Sequence, residues 1–213
     1  MGKNNNLHDF LVDVADAIRE KKGTQDKINA QSFADEIRNL PSGGEEGDLI
    51  VGIKGSSYST ANITSLKFGE GVTEVGGFAF QLCTSLTEII LPSTILNLGV
   101  SCFKNAAIES IHLPNGLKTI NNSVFEKCSL LKKIILPSSI TGMGASVFFD
   151  CTSLSVVVSL NPTPFVIYTQ CFDNNAANRL IYVPDESVDA YKAATNWSAY
   201  ADAIRPLSEL PNE

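Results

Sequence analysis

The chain has 213 residues, of which 44% are hydrophobic and 18% are charged, which is the composition of a folded protein rather than a disordered one. Its formal net charge of −7 lies at the two ends: residues 1–48 carry −4 (ten acids, six bases), residues 185–213 carry −4 (six and two), and residues 49–184 carry +1 (seven and eight). A near-neutral body lacks the cationic field that attracts phosphate backbones, and no segment has the roughly 20 apolar residues of a membrane span, so we expect neither nucleic-acid binding nor a transmembrane helix.

Residues 1–41 are predicted to form a helical hairpin. Apolar residues recur at helical spacing along a first helix, at Leu7, Leu11, Val14 and Ile18. A second helix shows the same pattern, at Phe33, Ile37 and Leu40. Residues 42–48, rich in Gly and Glu, form a linker. A hairpin of this size with so few apolar positions is too small to be stable alone, so we expect it to dock on another body.

The hairpin sequence, Val14-Ala-Asp-Ala-Ile18 with Phe33-Ala-Asp-Glu-Ile37-Arg38, resembles a hairpin in minor structural and tail-associated proteins of phages of Gram-positive bacteria. The resemblance implies a place on a virion or in a prophage, with the hairpin as an assembly anchor that could hold a homo-oligomer together. The N-terminus shows no signal peptide, because Asp9, Asp13 and Asp16 interrupt any apolar core. We therefore expect either that the chain is not exported by the usual route or that a signal has been removed.

Residues 49–184 are dominated by a repeat of about 23 residues. A Leu-Pro or Val-Pro pair recurs at Leu91-Pro92, Leu113-Pro114, Leu136-Pro137 and Val183-Pro184, and a Phe recurs at Phe80, Phe103, Phe125, Phe148 and Phe172. A first apolar column contains Ile63, Leu86, Ile108, Leu131 and Leu154. A second contains Leu66, Ile89, Ile111, Ile134 and Val157, and a third contains Phe68, Leu91, Leu113, Leu136 and, displaced by one residue, Leu160. Two further columns follow, with Val72, Ile95, Leu117 and Ile140 in one and Val75, Leu98, Ile120 and Met143 in the other.

These columns predict stacked units, each with a short strand, a Pro that ends it and a return segment, so that neighbouring units share one core under a parallel sheet. The unit from Leu131 to Cys151, with its Leu-Pro, Val-Phe and final Cys, resembles the BspA-type (Treponema pallidum-type) leucine-rich repeat. The resemblance implies an α/β, β-rich leucine-rich repeat solenoid with a parallel sheet. It also implies a cell-surface or secreted protein that binds host proteins, other cells or polysaccharide. The unit from Leu154 departs from the pattern at Asn161-Pro162-Thr163-Pro164, so we expect a rebuilt turn there.

Residues 185–213 are predicted to be a helical C-terminal cap. Asp185 is positioned to cap a helix through Val188 and Tyr191. A second apolar set at helical spacing follows, at Trp197, Tyr200 and Ile204, with Trp197 as the plug of the core.

The sequence offers little material for catalysis, a metal or a cofactor, so we expect a non-enzymatic protein without any of these. The two histidines, His8 and His112, lie in different modules, and no Cys-x-x-Cys occurs. The cysteines, Cys83, Cys102, Cys128, Cys151 and Cys171, follow the repeat and are expected to be buried small residues. A disulfide between Cys128 and Cys151 on adjacent coils is the alternative.

Partner binding is predicted on the outward column between the buried strand residues, at Lys67, Ile90, His112, Ile135, Val158 and Tyr182. Beside it runs a second outward column, Ser65, Glu88, Ser110, Lys133 and Val156. The first column is mostly apolar, and contiguous exposed apolar surface marks interfaces, although strand propensity alone also favours Ile and Val. Three functions follow: a protein-binding or adhesion module on a bacterial surface or virion, a structural component of a phage tail or prophage particle, and a carbohydrate-binding surface protein. The last wants exposed aromatic platforms, of which Tyr182 is the best placed.

Overall fold

The computed structural model describes residues 63–68 and 71–211. These residues belong to one compact unit, Gly47–Glu213. The predicted hairpin 1–41, the linker 42–48 and the first predicted solenoid residues, 49–62, lie outside the described residues, and so does His8. The domain boundaries drawn from the sequence therefore stay predictions.

Each of the five described coils contributes two short strands, one on the side of the predicted inward column and one on the return. The first-side strands are β1 (Ser65–Lys67), β3 (Glu88–Ile90), β5 (Ser110–Ile111), β7 (Lys133–Leu136) and β9 (Val156–Ser159), and β11 (Leu180–Val183) and β12 (Ile204–Pro206) follow them. The return strands are β2 (Glu74–Val75), β4 (Asn97–Leu98), β6 (Thr119–Ile120), β8 (Gly142–Met143) and β10 (Val166–Ile167).

These strands form three parallel sheets, in the orders β1-β3-β5, β7-β9-β11-β12 and β2-β4-β6-β8-β10. Leu66 pairs with Ile89 and Ile89 with Ile111, so residues of one predicted column are register partners on successive coils. Parallel pairing one repeat apart confirms the predicted solenoid with its parallel sheet.

The core is built around a ladder of phenylalanines. Phe80, Phe103, Phe125, Phe148 and Phe172 are fully buried, and successive rings stack with centroids 5.3–5.8 Å apart and interplanar angles of 3–14°. Offset stacking at this spacing adds to the free energy gained from burial alone. The Phe column is therefore the axis along which the coils are held together.

The fifth coil departs from one predicted column. Leu160 was expected to face inward, but it is exposed, and Ser159 is the register partner of Leu136 and is fully buried. The serine is tolerated because its hydroxyl is 2.9 Å from the Tyr191 hydroxyl, which donates to the Asn161 carbonyl at 3.0 Å. The predicted rebuilding of the turn is confirmed: the Asn161 amide donates to the Ile140 carbonyl at 2.9 Å and its oxygen accepts the Thr163 N–H.

Two residues in each described coil adopt the left-handed backbone conformation, four positions apart on either side of the Phe. Their φ values lie between 53° and 62°, at Phe78 and Leu82, Ser101 and Asn105, Ser123 and Lys127, Ser146 and Asp150, and Gln170 and Asn174. This conformation turns the chain tightly and favours Asn, Asp and other small polar residues.

The C-terminal cap contains the predicted first helix, α1 (Val188–Ala193). Trp197 is fully buried as the predicted plug: its Nε1–H donates to the Phe165 carbonyl at 2.8 Å, and its ring packs edge-on against Tyr191 with centroids 4.9 Å apart. No helix among residues 63–68 and 71–211 is long and apolar enough to cross a membrane.

Two details of the predicted cap are wrong. Asp185 does not cap α1; its carboxylate accepts the Ser208 N–H at 3.0 Å. The apolar set at helical spacing does not form one helix, because a 3-10 helix (Trp197–Ala203) ends before Ile204, which begins β12 and pairs with Ile181. Ile204 is fully buried and extends the strand column by one more coil.

Candidate functional site

The structure places the predicted partner-binding residues on successive coils of the sheet face. Lys67 is the register partner of Ile90, and Ile135 is the register partner of Val158, which pairs with Tyr182. Lys67 and His112 are exposed, and the exposed fractions of Ile90 and Ile135 are 50% and 40%. We call Lys67, Ile90, His112 and Ile135 the exposed column.

The prediction that the stripe stays open as far as Tyr182 is wrong. Val158 and Tyr182 are only 2% and 4% exposed. β11 is flanked on both sides, by β9 and β12, so that Arg205 lies beside Tyr182 in register. The 3-10 turn Leu207–Glu209 also contacts β11. The open edge of the last coil is thus occupied by the C-terminal segment, which the sequence did not predict to join the sheet.

The surroundings of the exposed column are mixed in charge. Glu88 and Ser110 are exposed on the neighbouring column, and Lys133 is half-buried there. Leu160, which lies two residues beyond Val158 on the same side of the strand by alternation, adds an exposed apolar group that the sequence had assigned to the core. The signal for it was available, because an unshifted 23-residue register puts Ser159, not Leu160, opposite Leu136.

A cleft of about 570 Å³ lies at the C-terminal end, between the turn 173–178 and the 3-10 helix Trp197–Ala203. Arg179 lines it, with its guanidinium 5.1 Å from the centre of the Tyr200 ring and 5.9 Å from that of Phe172. It donates a hydrogen bond to the Phe172 carbonyl, and burial lowers the pKa of its guanidinium. The arginine therefore satisfies the hydrogen-bonding capacity of the Phe172 carbonyl, which a further coil would otherwise satisfy.

The cysteines likewise donate hydrogen bonds to backbone carbonyl groups within the stack. All five are free thiols and buried, as predicted. Cys128 Sγ donates to the Phe103 carbonyl at 3.2 Å and Cys151 Sγ to the Phe125 carbonyl at 3.0 Å. Burial raises the pKa of the Cys151 thiol to about 12 and that of Cys171 to about 11. These thiols stay protonated near neutral pH, which suits a hydrogen-bond donor and not a nucleophile or a metal ligand.

Within the described residues, no three His, Cys, Asp or Glu side chains are grouped as a metal site would require. The described part of the chain thus offers the exposed column and the cleft as surfaces for recognition. Of these, the exposed column presents large apolar side chains on a hydrogen-bonded sheet.

The chain is similar in fold to three solved bacterial proteins. A Treponema pallidum leucine-rich repeat protein superimposes with a TM-score of 0.53 at 24% identity, over 63% of this chain and 62% of the other. A Eubacterium ventriosum leucine-rich repeat protein gives 0.52 at 22%, over 58% and 32%, and the pneumococcal vaccine antigen PcpA gives 0.52 at 19%, over 71% and 41%. The chain thus spans less than two thirds of each of these proteins. No curated protein matches it.

A family model described as the BspA type leucine-rich repeat region matches residues 52–178 in six copies. The match covers more than half of the chain and contains the same Phe, Leu-Pro and Cys columns that stack in the core. The chain therefore belongs to the BspA-type leucine-rich repeat family.

Proposed function

We propose that this chain is a non-enzymatic protein-binding module, displayed on a bacterial cell surface or virion, that contacts a host or bacterial surface protein through the exposed column. The observation that carries the proposal is the exposure of Ile90 and Ile135, two large apolar side chains on strands β3 and β7 of the same strand column, with exposed His112 on the coil between them. Apolar residues of this size that remain open to solvent on a rigid sheet are a typical feature of interfaces.

The expected contribution of the two isoleucines to the binding free energy is large enough to measure. Full burial of an isoleucine side chain is worth about 1.5–3 kcal/mol, and these two are half-buried already, so docking gains about 1 kcal/mol from each. Together they account for about a 30-fold change in affinity. The sheet backbone is already hydrogen-bonded, so a partner does not have to order it, and little of this gain is lost to conformational entropy.

The comparisons support the proposal at the level of class. The family is one of repeat proteins, whose stacked sheets form extended binding surfaces. PcpA, which shares the fold at 19% identity, is described as a pneumococcal vaccine antigen. The alternative role as a structural component of a phage particle depends on the hairpin 1–41, outside the described residues, and stays a prediction.

The experiment is a pull-down from host and bacterial surface extracts with three baits: the wild-type chain, Ile135→Glu and Thr152→Glu. Thr152 is exposed on the fourth coil outside the strands and serves as the matched control for an added charge. We expect a protein band retained by wild type and by Thr152→Glu and lost with Ile135→Glu, at equal melting temperatures. Retention by Ile135→Glu at wild-type level would refute the site.

Carbohydrate binding remains a second candidate because of one observation. Tyr182, which the sequence favoured as a sugar platform, is buried, whereas Tyr168 after the return strand β10 is 59% exposed beside exposed Val166. An exposed aromatic ring is a stacking surface for a sugar. Binding of wild type to a glycan array that is lost with Tyr168→Ala but kept with Ile135→Glu would favour this function over protein binding.

A further inference from the structure

The first described coil breaks a rule that the other four obey. At the left-handed position before the Phe, the later coils have Ser101, Ser123, Ser146 and Gln170, and at the position after it they have Asn105, Lys127, Asp150 and Asn174. The first coil has Phe78 and Leu82 at these positions, with φ of 60° and 61°. Every polar residue of the rule is thus replaced by a bulky apolar one.

The exception is unfavourable in two ways at once. Bulky side chains are disfavoured at positive φ, and polar residues are the usual occupants there. The two side chains are also open to solvent, 43% and 42% exposed, so burial in the core does not offset the strain. A strained backbone that packing does not explain is a reason to look for an interaction.

Val100 on the next coil extends the same surface. Its carbonyl accepts the Phe78 N–H at 2.8 Å, and its side chain is exposed as well. We call Phe78, Leu82 and Val100 the corner patch. It contains no charged side chain, and Lys104, whose carbonyl accepts the Leu82 N–H, pairs its ammonium with Glu126 at 2.8 Å.

We propose that the corner patch is the apolar centre of a two-fold contact with a second copy of this chain. An uncharged apolar patch is complementary to itself, since two copies meet without like charges, which is what a two-fold contact between identical surfaces requires. The patch exposes on the order of 200–300 Å² of apolar surface, whereas a stable interface covers roughly 800 Å² per partner. It is therefore the size of the apolar centre of an interface, around which a polar rim completes the contact.

This contact differs from self-association through the N-terminal hairpin, and it is independent of the exposed column. The test uses sedimentation equilibrium of the full chain over a range of concentrations. The variant F78S/L82N introduces the residues of the second coil, Ser101 and Asn105, at the same left-handed positions. The control V166S/Y168S removes two exposed apolar side chains from the fifth coil.

We expect the wild-type mass to rise towards a dimer and F78S/L82N to associate about ten-fold or more weakly, with an unchanged or higher melting temperature, because the new residues suit the backbone. The control should dimerise like wild type. A wild type that stays monomeric, a F78S/L82N dimer as strong as wild type, or an equal loss in the control would overturn the proposal.

A second readout does not depend on the stability of F78S/L82N. Gln81 lies between the two strained residues, and the five native thiols are buried, so Q81C introduces one reactive thiol at the patch. Under air oxidation it should form a disulfide-linked dimer faster than T152C, whose position is exposed on the fourth coil. Equal cross-linking rates would contradict the two-fold contact.

Discussion

Phe125→Ala is the sharpest test of how the stack is held together. The ring is fully buried and stacks on Phe103 at 5.8 Å and on Phe148 at 5.3 Å. Truncation of a buried Phe to Ala lowers the free energy of unfolding by about 3–5 kcal/mol, and the loss of two stacked contacts places this site in the upper half of that range. We expect a loss of about 4 kcal/mol.

The assay is urea denaturation followed by far-ultraviolet circular dichroism and by the fluorescence of Trp197, the single tryptophan. Trp197 packs on Phe165 and Phe172, two coils away from Phe125. Because each coil contacts only its neighbours, the circular dichroism midpoint should fall further than the fluorescence midpoint. The control is Phe149→Ala, a half-buried residue outside the ladder, for which we expect about 1 kcal/mol. If the two substitutions have equal effects, the ladder is not the main stabilising element.

Three further predictions concern the cap, the thiols and the turns. Trp197→Phe removes the donor to the Phe165 carbonyl and leaves a small cavity, so thermal unfolding should show a loss of about 2 kcal/mol; a loss below about 0.5 kcal/mol would contradict the plug. Burial raises the pKa of the Cys151 and Cys171 thiols from 9.0 to about 12 and about 11, so the unfolded chain loses these protons first and the free energy of unfolding falls as pH rises above 9. The variant C151A/C171A should show a shallower decline in urea titrations at successive pH values, and an unchanged slope would count against buried protonated thiols. Lys127 has φ of 61°, so Lys127→Gly should keep or raise the melting temperature and Lys127→Val should lower it, and the reverse order would contradict the left-handed turn.

The sequence sufficed to predict the packing that every coil repeats, but not the structure at the C-terminal end of the solenoid. Period and alternation sufficed for the Phe ladder and for the alternate burial of strand residues, because each coil repeats the packing of the last. The spacing of Trp197, Tyr200 and Ile204 is that of a helix, but Ile204 instead lies in β12 and pairs with the open edge of β11. Edge pairing is a tertiary effect with no local signal. Pattern alone had also left Val158 and Tyr182 exposed, whereas both are buried in the structure, Tyr182 beside Arg205 of β12.

Departures from the repeat fall into two kinds, and the difference indicates where function lies. The thiols of Cys128 and Cys151 each donate a hydrogen bond to the Phe carbonyl of the preceding coil. On the fifth coil the Asn175 amide donates to the Phe148 carbonyl at 2.7 Å, and the Arg179 guanidinium donates to the Phe172 carbonyl. These substitutions change the residue type but keep the same carbonyl satisfied, so stability accounts for them.

The apolar side chains of the exposed column and the corner patch hydrogen-bond no backbone group and fill no core position within the described fold. Ile90 and Phe78 would be replaced without loss by the polar residues that the repeat tolerates at neighbouring coils, such as His112 and Ser101. Stability therefore gives no reason for their presence, and at Phe78 the backbone opposes it. A departure that the fold does not require and that solvent disfavours is where contact with another molecule should be sought first.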